Sequence, residues 1–79
     1  MSTPTLEWIS HWIRLRRREP GLLLSPDTDL YKSGLLDSLG IIELIEALED
    51  EYRIQFTEEE MQSGLTRIKD FDDIIHARQ

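Results

Sequence analysis

Apolar side chains recur with helical spacing in four stretches of the chain. The first stretch runs from about Thr5 to Arg18, and one half of its helical wheel is apolar while the other half is polar. The apolar half consists of Leu6, Trp8, Ile9, Trp12, Ile13 and Leu15, and the polar half of Glu7, Ser10, His11, Arg14 and Arg18. Pro4 suits a first helical turn, and Pro20-Gly21 ends the helix. This pattern predicts an amphipathic helix that buries one face.

The second predicted helix starts at Asp37 or Ser38, either of which can cap it, and runs to about Tyr52. Its buried stripe consists of Ile41, Leu44, Ile45, Leu48 and Tyr52, and its acidic outward face of Glu43, Glu46, Glu49 and Asp50. Two apolar residues, Leu39 and Ile42, lie on the same outward face. Exposed apolar side chains with an acidic rim are typical of a surface that recognises a basic partner.

Two further helices and one long connection complete the pattern. A short third helix fits Thr57 to about Gln62, because Thr57 followed by Glu60 forms a capping box. The fourth helix starts near Thr66. Its apolar face consists of Ile68, Phe71 and Ile75, and the leucines expected to hold the connection are Leu22, Leu23, Leu24, Leu30, Leu35 and Leu36. The chain therefore predicts an all-α four-helix bundle, three main helices and one short one, with a long loop over residues 19–37 between helices one and two.

Composition narrows the class of protein. The 79 residues allow one domain, residues 1–79, and their 9 Lys+Arg against 16 Asp+Glu give a net charge of −7, which argues against a nucleic-acid-binding protein. The absence of cysteine excludes a disulfide scaffold, a thiolate metal site and a cysteine nucleophile. No apolar run is long enough to cross a membrane, and the first residues do not resemble a signal peptide. We therefore expect a cytoplasmic domain that does not insert into membranes.

Few residues suggest chemistry of their own. His11 and His76 lie far apart and lack metal-ligand partners at helical spacing, so we expect both to be exposed and predict no metal site. No Ser/His/Asp constellation is visible, so the sequence pattern singles out no catalytic residues. The Arg14–Arg18 cluster has two interpretations, a solvated helix end or a docking patch for an acidic partner or a phosphate. Ser38 is either an ordinary N-cap or a site where the helix N-terminus favours an attached phosphate.

Three consecutive motifs resemble the acyl carrier protein family, and the resemblance covers nearly the whole chain. They are Asp27-Thr28-Asp29-Leu30-Tyr31, Gly34-Leu35-Leu36-Asp37-Ser38-Leu39 and Ile42-Glu43-Leu44-Ile45-Glu46-Ala47-Leu48-Glu49. By this resemblance Ser38 is the attachment site of 4′-phosphopantetheine, which a phosphopantetheinyl transferase moves from coenzyme A. The thiol of the arm then carries an acyl group as a thioester between enzymes. Cofactor and partners thus supply the chemistry and the carrier supplies recognition, so the resemblance implies a protein that is not an enzyme.

The resemblance also implies roles for the residues around Ser38. Asp37 is expected to help the transferase bind, and Leu39 to contact partners directly. The expected partner-binding residues are Leu39, Ile42, Glu43, Glu46, Glu49 and Asp50. The residues expected to line the core, and a chain-binding cavity if the cargo is fatty, are Ile41, Leu44, Ile45 and Leu48.

Several positions depart from the pattern of housekeeping carriers. Gly40 stands where many fatty-acid carriers have an acidic residue, Glu46 replaces a commonly apolar one, and the Arg14–Arg18 run is atypical. We therefore expect a free-standing, monomeric acyl carrier of a fatty-acid-like, polyketide or other specialised pathway, loaded by a dedicated ligase. An aminoacyl or peptidyl carrier, including the D-alanyl type, is one alternative. A helical adaptor that carries no cargo, with Ser38 as a plain N-cap, is the alternative from another class.

Overall fold

The predicted all-α architecture is confirmed. A computed structural model of the chain describes residues 3–78 and contains α1 (Pro4–Arg17), α2 (Ser38–Tyr52), α3 (Glu58–Gln62) and α4 (Ile68–Ala77). Within this described part there is no strand, and an isolated antiparallel bridge joins Asp29 to Arg67. The predicted helix limits agree to within two residues, with α1 beginning at Pro4 instead of Thr5 and α4 beginning at Ile68 instead of near Thr66.

Local capping accounts for where the first and third helices begin. The Leu6 N–H donates to the Thr3 hydroxyl at 3.0 Å, and proline fills the first helical position of α1. The predicted capping box of α3 is present, because the Glu60 N–H donates to the Thr57 hydroxyl and the Thr57 N–H donates to the Glu60 carboxylate. A hydrogen bond from Arg78 is the main cause that lowers the pKa of Glu60 below its ordinary value.

One apolar core lies between α1, α2, α4 and the long loop. Its members are Leu6, Ile9, Ile13, Leu30, Leu36, Leu44, Ile45, Leu48, Phe56, Ile68, Phe71 and Ile75. Phe71 is fully buried, and its ring stands edge-on to that of Phe56 with the ring centroids 6.2 Å apart. The predicted apolar face of α4 is therefore confirmed. In α2 the middle of the predicted stripe is buried, whereas Ile41 and Tyr52 at its ends are half-buried.

The buried face of α1 is rotated relative to the sequence prediction. Leu15, assigned to the apolar half, is 66% exposed, whereas Ser10, assigned to the polar half, is only 4% exposed. The buried arc includes Ile9 near its centre, and Trp8 and Trp12 are half-buried beside it. Because each tryptophan covers the core with only part of its large ring, weighting both as fully apolar shifted the predicted face toward Leu15.

Leucines and backbone hydrogen bonds hold the long loop against the bundle. Leu30 and Leu36 are buried, but Leu23 is 87% exposed and so does not fasten the loop as predicted. The Leu30 N–H donates to the Thr66 carbonyl at 2.7 Å, and the Lys69 N–H donates to the carbonyl of residue 26 at 3.0 Å. These bonds tie the loop to the start of α4 and so fix the backbone that leads into α2.

Asp29 fastens the same junction through its side chain. Its carboxylate accepts hydrogen bonds from the Tyr31 and Lys32 N–H groups and from the Thr66 hydroxyl at 2.9 Å. The hydrogen bond from the Lys32 backbone is the main cause that lowers the pKa of Asp29 below its ordinary value. Thr66, predicted to open the fourth helix, instead binds the loop, which explains why α4 starts two residues later, at Ile68.

Candidate functional site

Ser38 is the first residue of α2 and is exposed. Asp37 is the N-cap, because its side-chain oxygen Oδ1 accepts a hydrogen bond from the Gly40 N–H at 2.7 Å. The interpretation of Ser38 as the cap of this helix is therefore wrong. The Ser38 hydroxyl makes no hydrogen bond to any other residue between 3 and 78, so it is available to a modifying enzyme.

Gly40 allows the loop and the first turn of α2 to approach each other closely. A Cβ atom at this position would lie 3.1 Å from the Leu36 Cβ and 3.2 Å from the Asp37 Oδ1. Both distances are tighter than ordinary van der Waals contact. The glycine that departs from the pattern of housekeeping carriers thus has a packing reason, since it leaves room for a core leucine and for the capping carboxylate.

We expect Gly40→Ala to lower the free energy of unfolding. Alanine is favoured over glycine in a helix by about 0.8–1.0 kcal/mol, but the new methyl group must displace a buried leucine and strain a cap that contributes about 1 kcal/mol. Chemical denaturation of both proteins measures the difference. Gly21→Ala is the matched control, because no atom beyond its neighbours in the chain lies within 4 Å of its Cβ position. A Gly40→Ala protein more stable than the wild type would contradict the close approach.

An apolar cleft of about 420 Å³ adjoins Ser38. Its apolar lining comes from Ile41, Ile42, Ile45, Met61 and Leu65. Two of the four residues expected to line a chain-binding cavity are therefore at this cleft. The other two, Leu44 and Leu48, are fully buried in the core, because they lie on the arc of α2 that faces the rest of the bundle.

Arg16 links α1 to α2 beside this site. Its guanidinium donates two hydrogen bonds to the Glu43 carboxylate, at 3.1 and 3.2 Å, and lies 5.3 Å from the centre of the Trp12 ring. The side chains of Arg16 and Glu43 are 34% and 43% exposed. The hydrogen bond to Glu43 is the main cause that raises the pKa of Arg16 above its ordinary value.

Two more arginines of the cluster hold the long loop. Arg17 donates to the Leu35 carbonyl at 3.1 Å, and Arg14 donates to the Leu22 carbonyl at 2.7 Å. Arg17 and Arg18 are exposed, as a solvated helix end predicts, but sequence reasoning missed the hydrogen bonds that Arg17 and Arg14 donate to the loop. Their partners lie 18 and 8 residues along the chain, so no helical periodicity could reveal them.

The predicted partner-binding residues differ in their solvent exposure. Leu39 and Ile42 are 62% and 51% exposed, as the sequence pattern predicts for recognition residues. Glu46 and Asp50 are exposed further along α2. The exposed part of the helix thus begins with apolar side chains next to Ser38 and continues with carboxylates.

Glu43 and Glu49 have partners inside the molecule. The first is held by Arg16, and the second is half-buried and accepts a hydrogen bond from the Phe56 N–H at 2.8 Å. That contact joins the end of α2 to the segment that packs beneath the bundle. The two carboxylates are consequently less available to a partner than the outward pattern of α2 indicates.

The remaining candidate residues and segments stay apart from this site. His11 and His76 are exposed as predicted, and the nearest acid to His76 is Asp72, at 3.9 Å on the same helix. No group of three or more metal-ligating side chains occurs between residues 3 and 78. Over the same range, none of the helices has the length and apolar character that crossing a bilayer requires.

Comparison with known proteins identifies the family. No curated protein and no solved structure matches the chain significantly. A family model described as phosphopantetheine attachment site matches residues 11–71, which include the second half of α1, the long loop, α2, α3 and the first turn of α4. Members of this family are carrier proteins with covalently attached 4′-phosphopantetheine. The match spans most of the chain, and the chain belongs to this phosphopantetheine-carrying, acyl carrier protein family.

Proposed function

We propose that Ser38 bears the 4′-phosphopantetheine and that the protein carries acyl cargo between enzymes. The observation that carries this proposal is the exposed, uncommitted hydroxyl of Ser38 at the first turn of α2, next to a helix cap supplied by Asp37. Backbone N–H groups and the helix dipole make this end of α2 favourable for the negative charge of a phosphodiester. The residues present therefore fit the group.

In this proposal the chain supplies position and recognition, and its partners supply catalysis. The Ser38 oxygen forms the phosphodiester, its proton passes to a base of the phosphopantetheinyl transferase, and the 3′,5′-ADP part of coenzyme A leaves. When bound, the group supplies a thiol that holds an acyl cargo as a thioester. Asp37 keeps the start of α2 in place through Gly40, while Leu39 and Ile42 offer apolar contacts to the docking enzyme.

The apolar cleft beside Ser38 supports an acyl cargo over an aminoacyl one. Each buried CH₂ group of an acyl chain gains about 0.8 kcal/mol, whereas an aminoacyl ammonium loses its hydration in such a cleft. The lining residues Ile41, Ile45 and Met61 offer an ammonium no acidic partner. We propose a dedicated pathway on the basis of the Arg16–Glu43 pair and of Gly40, which together reduce the negative charge next to Ser38 to that of Asp37.

Intact-protein mass spectrometry tests the carrier function. After incubation with coenzyme A and a broad-specificity phosphopantetheinyl transferase, we expect the protein to gain the mass of one phosphopantetheine. A panel of loading ligases, supplied with fatty acids of increasing length or with amino acids, then identifies the cargo, and we expect fatty acids to be favoured. Preferential loading of amino acids would contradict the acyl assignment. No mass gain with several different transferases would contradict the carrier function itself.

A further inference from the structure

The negative charge of α2 is distributed unevenly with respect to Ser38. The first turn contains no acidic residue, and the first carboxylate along the helix belongs to Glu43, about 7.5 Å from Ser38 along the axis at 1.5 Å per residue. The next exposed carboxylate, that of Glu46, is about 12 Å away on the same measure. Asp50 and Glu51 lie still further along the exposed part of the helix.

Arg16 neutralises the carboxylate of α2 that lies nearest to Ser38. Two hydrogen bonds in a fork hold the Glu43 carboxylate against the guanidinium, and the ring of Trp12 lies 5.3 Å from the guanidinium carbon. Planar, bidentate pairs of this kind are better defined in geometry than a pair joined by a single bond. Exposed ion pairs contribute little to stability, so the main physical consequence is a change in surface charge.

The other charged groups close to the start of α2 leave one net negative charge, that of Asp37. Asp37 contributes a negative charge, and Arg17, which donates to the Leu35 carbonyl, contributes a positive one that Glu19 pairs at 2.9 Å. At physiological ionic strength exposed charges are screened over about 8 Å. A basic partner residue facing Ser38 is therefore attracted only weakly by the carboxylates at the far end of α2.

Building on the function proposed above, we propose that Arg16 is a specificity-determining residue of the docking surface. By holding Glu43, it leaves an apolar surface around Ser38 that has only the net negative charge of Asp37, and it places most of the attractive negative charge on the last two turns of α2. The partners that fit are enzymes with apolar surface beside the active site and basic residues some distance from it. Enzymes whose basic residues must meet a free carboxylate on the first two turns of α2 are disfavoured.

The test compares loading kinetics of three variants with the wild type. Arg16→Gln frees Glu43. Arg18→Gln removes the same net charge, but from an exposed arginine whose side chain has no partner among residues 3–78. The double variant Arg16→Gln/Glu43→Gln removes both members of the pair. For each we measure kcat/KM of phosphopantetheinylation by a transferase with a basic docking surface, from low to high NaCl concentration, and the Tm.

We expect Arg16→Gln to raise kcat/KM about threefold at low salt, the effect of one more charge acting over about 7 Å in water, and to steepen its dependence on NaCl. Arg18→Gln should change kcat/KM less, and the double variant should return to the wild-type value. If the transferase loads Arg16→Gln but does not load the wild type, that result would also support the proposal. If Arg16 has only a structural role, Arg16→Gln should have a lower Tm than the wild type, and its kcat/KM should not depend more steeply on NaCl concentration.

Two results distinguish the failure of this proposal from the failure of the carrier function. If the wild type is loaded and Arg16→Gln behaves like Arg18→Gln or like the wild type, Arg16 does not set specificity, although the protein is a carrier. If neither the wild type nor any variant is loaded by several transferases, the carrier function is overturned and this proposal with it.

Discussion

Replacing Ser38 with alanine is expected to abolish phosphopantetheine loading and to leave the fold intact. The substitution removes the hydroxyl proposed to form the phosphodiester. It removes no hydrogen bond between the residues from 3 to 78, because Asp37 caps α2. Alanine is a good helix former and Ser38 is exposed, so the free energy of unfolding should change by no more than about 0.5 kcal/mol. Intact-protein mass spectrometry should show the mass gain for the wild type only.

Ser33→Ala is the matched control for this experiment. Ser33 is an exposed serine in the long loop, five positions earlier, whose hydroxyl donates a long hydrogen bond of 3.4 Å to the Leu30 carbonyl and accepts another of 3.4 Å from the Leu35 N–H. We expect it to be loaded as completely as the wild type. A mass gain on Ser38→Ala would show that another residue bears the group. Loss of helical circular dichroism in Ser38→Ala would contradict the assignment of the cap to Asp37.

Phe71→Ala is expected to remove a large part of the protein's free energy of unfolding at 25 °C. The side chain is fully buried and pairs edge-on with Phe56. Phenylalanine-to-alanine changes in a core cost about 3–5 kcal/mol, and loss of an aromatic pair adds about 0.5–1.5 kcal/mol. At about 0.05–0.15 kcal/mol per residue, a domain of this length has a total stability of about 4–12 kcal/mol, and small domains bury a smaller fraction of their surface. Urea denaturation followed by far-ultraviolet circular dichroism measures the loss.

Leu23→Ala serves as the control for the core substitution. Leu23 is 87% exposed although its neighbours in sequence are leucines that pack against the core, and we expect a change within about 0.5 kcal/mol. Phe71→Leu keeps much of the apolar volume and should fall between the two. A cost below about 1 kcal/mol for Phe71→Ala would show that Phe71 is not essential to a single shared core.

The helices could be predicted from the sequence because their signals are local. The spacing that places Phe71 on one face, and the box formed by Thr57 and Glu60, involve residues within one or two helical turns of each other. Such signals depend on the backbone period and not on what packs against the helix. The prediction for α1 was wrong at Ser10 and Leu15. It counted two tryptophans at the edge of the buried arc as fully apolar, equal to the isoleucines at its centre.

The candidate site could be predicted only in part. The Asp-Ser-Leu motif at the start of a helix pointed to Ser38, and the outward positions of Leu39 and Ile42 followed from helical spacing. The sequence left open which residue caps the helix, since both Asp37 and Ser38 are good caps. That choice depends on the backbone conformation at the end of the loop, where Gly40 allows the Asp37 carboxylate to approach the first turn of α2.

The sequence by itself determined the helices, most of their buried faces, the acidity and the motif that marks the family, because each depends on residues close together in the chain. Only the tertiary structure decided which charged side chains have partners within the molecule. Arg16 meets Glu43 across 27 residues, and Asp29 meets Thr66 across 37. These contacts depend on how α1, the loop and α4 pack around α2, and side chains on different elements meet only once burial of the shared core has fixed those elements relative to one another.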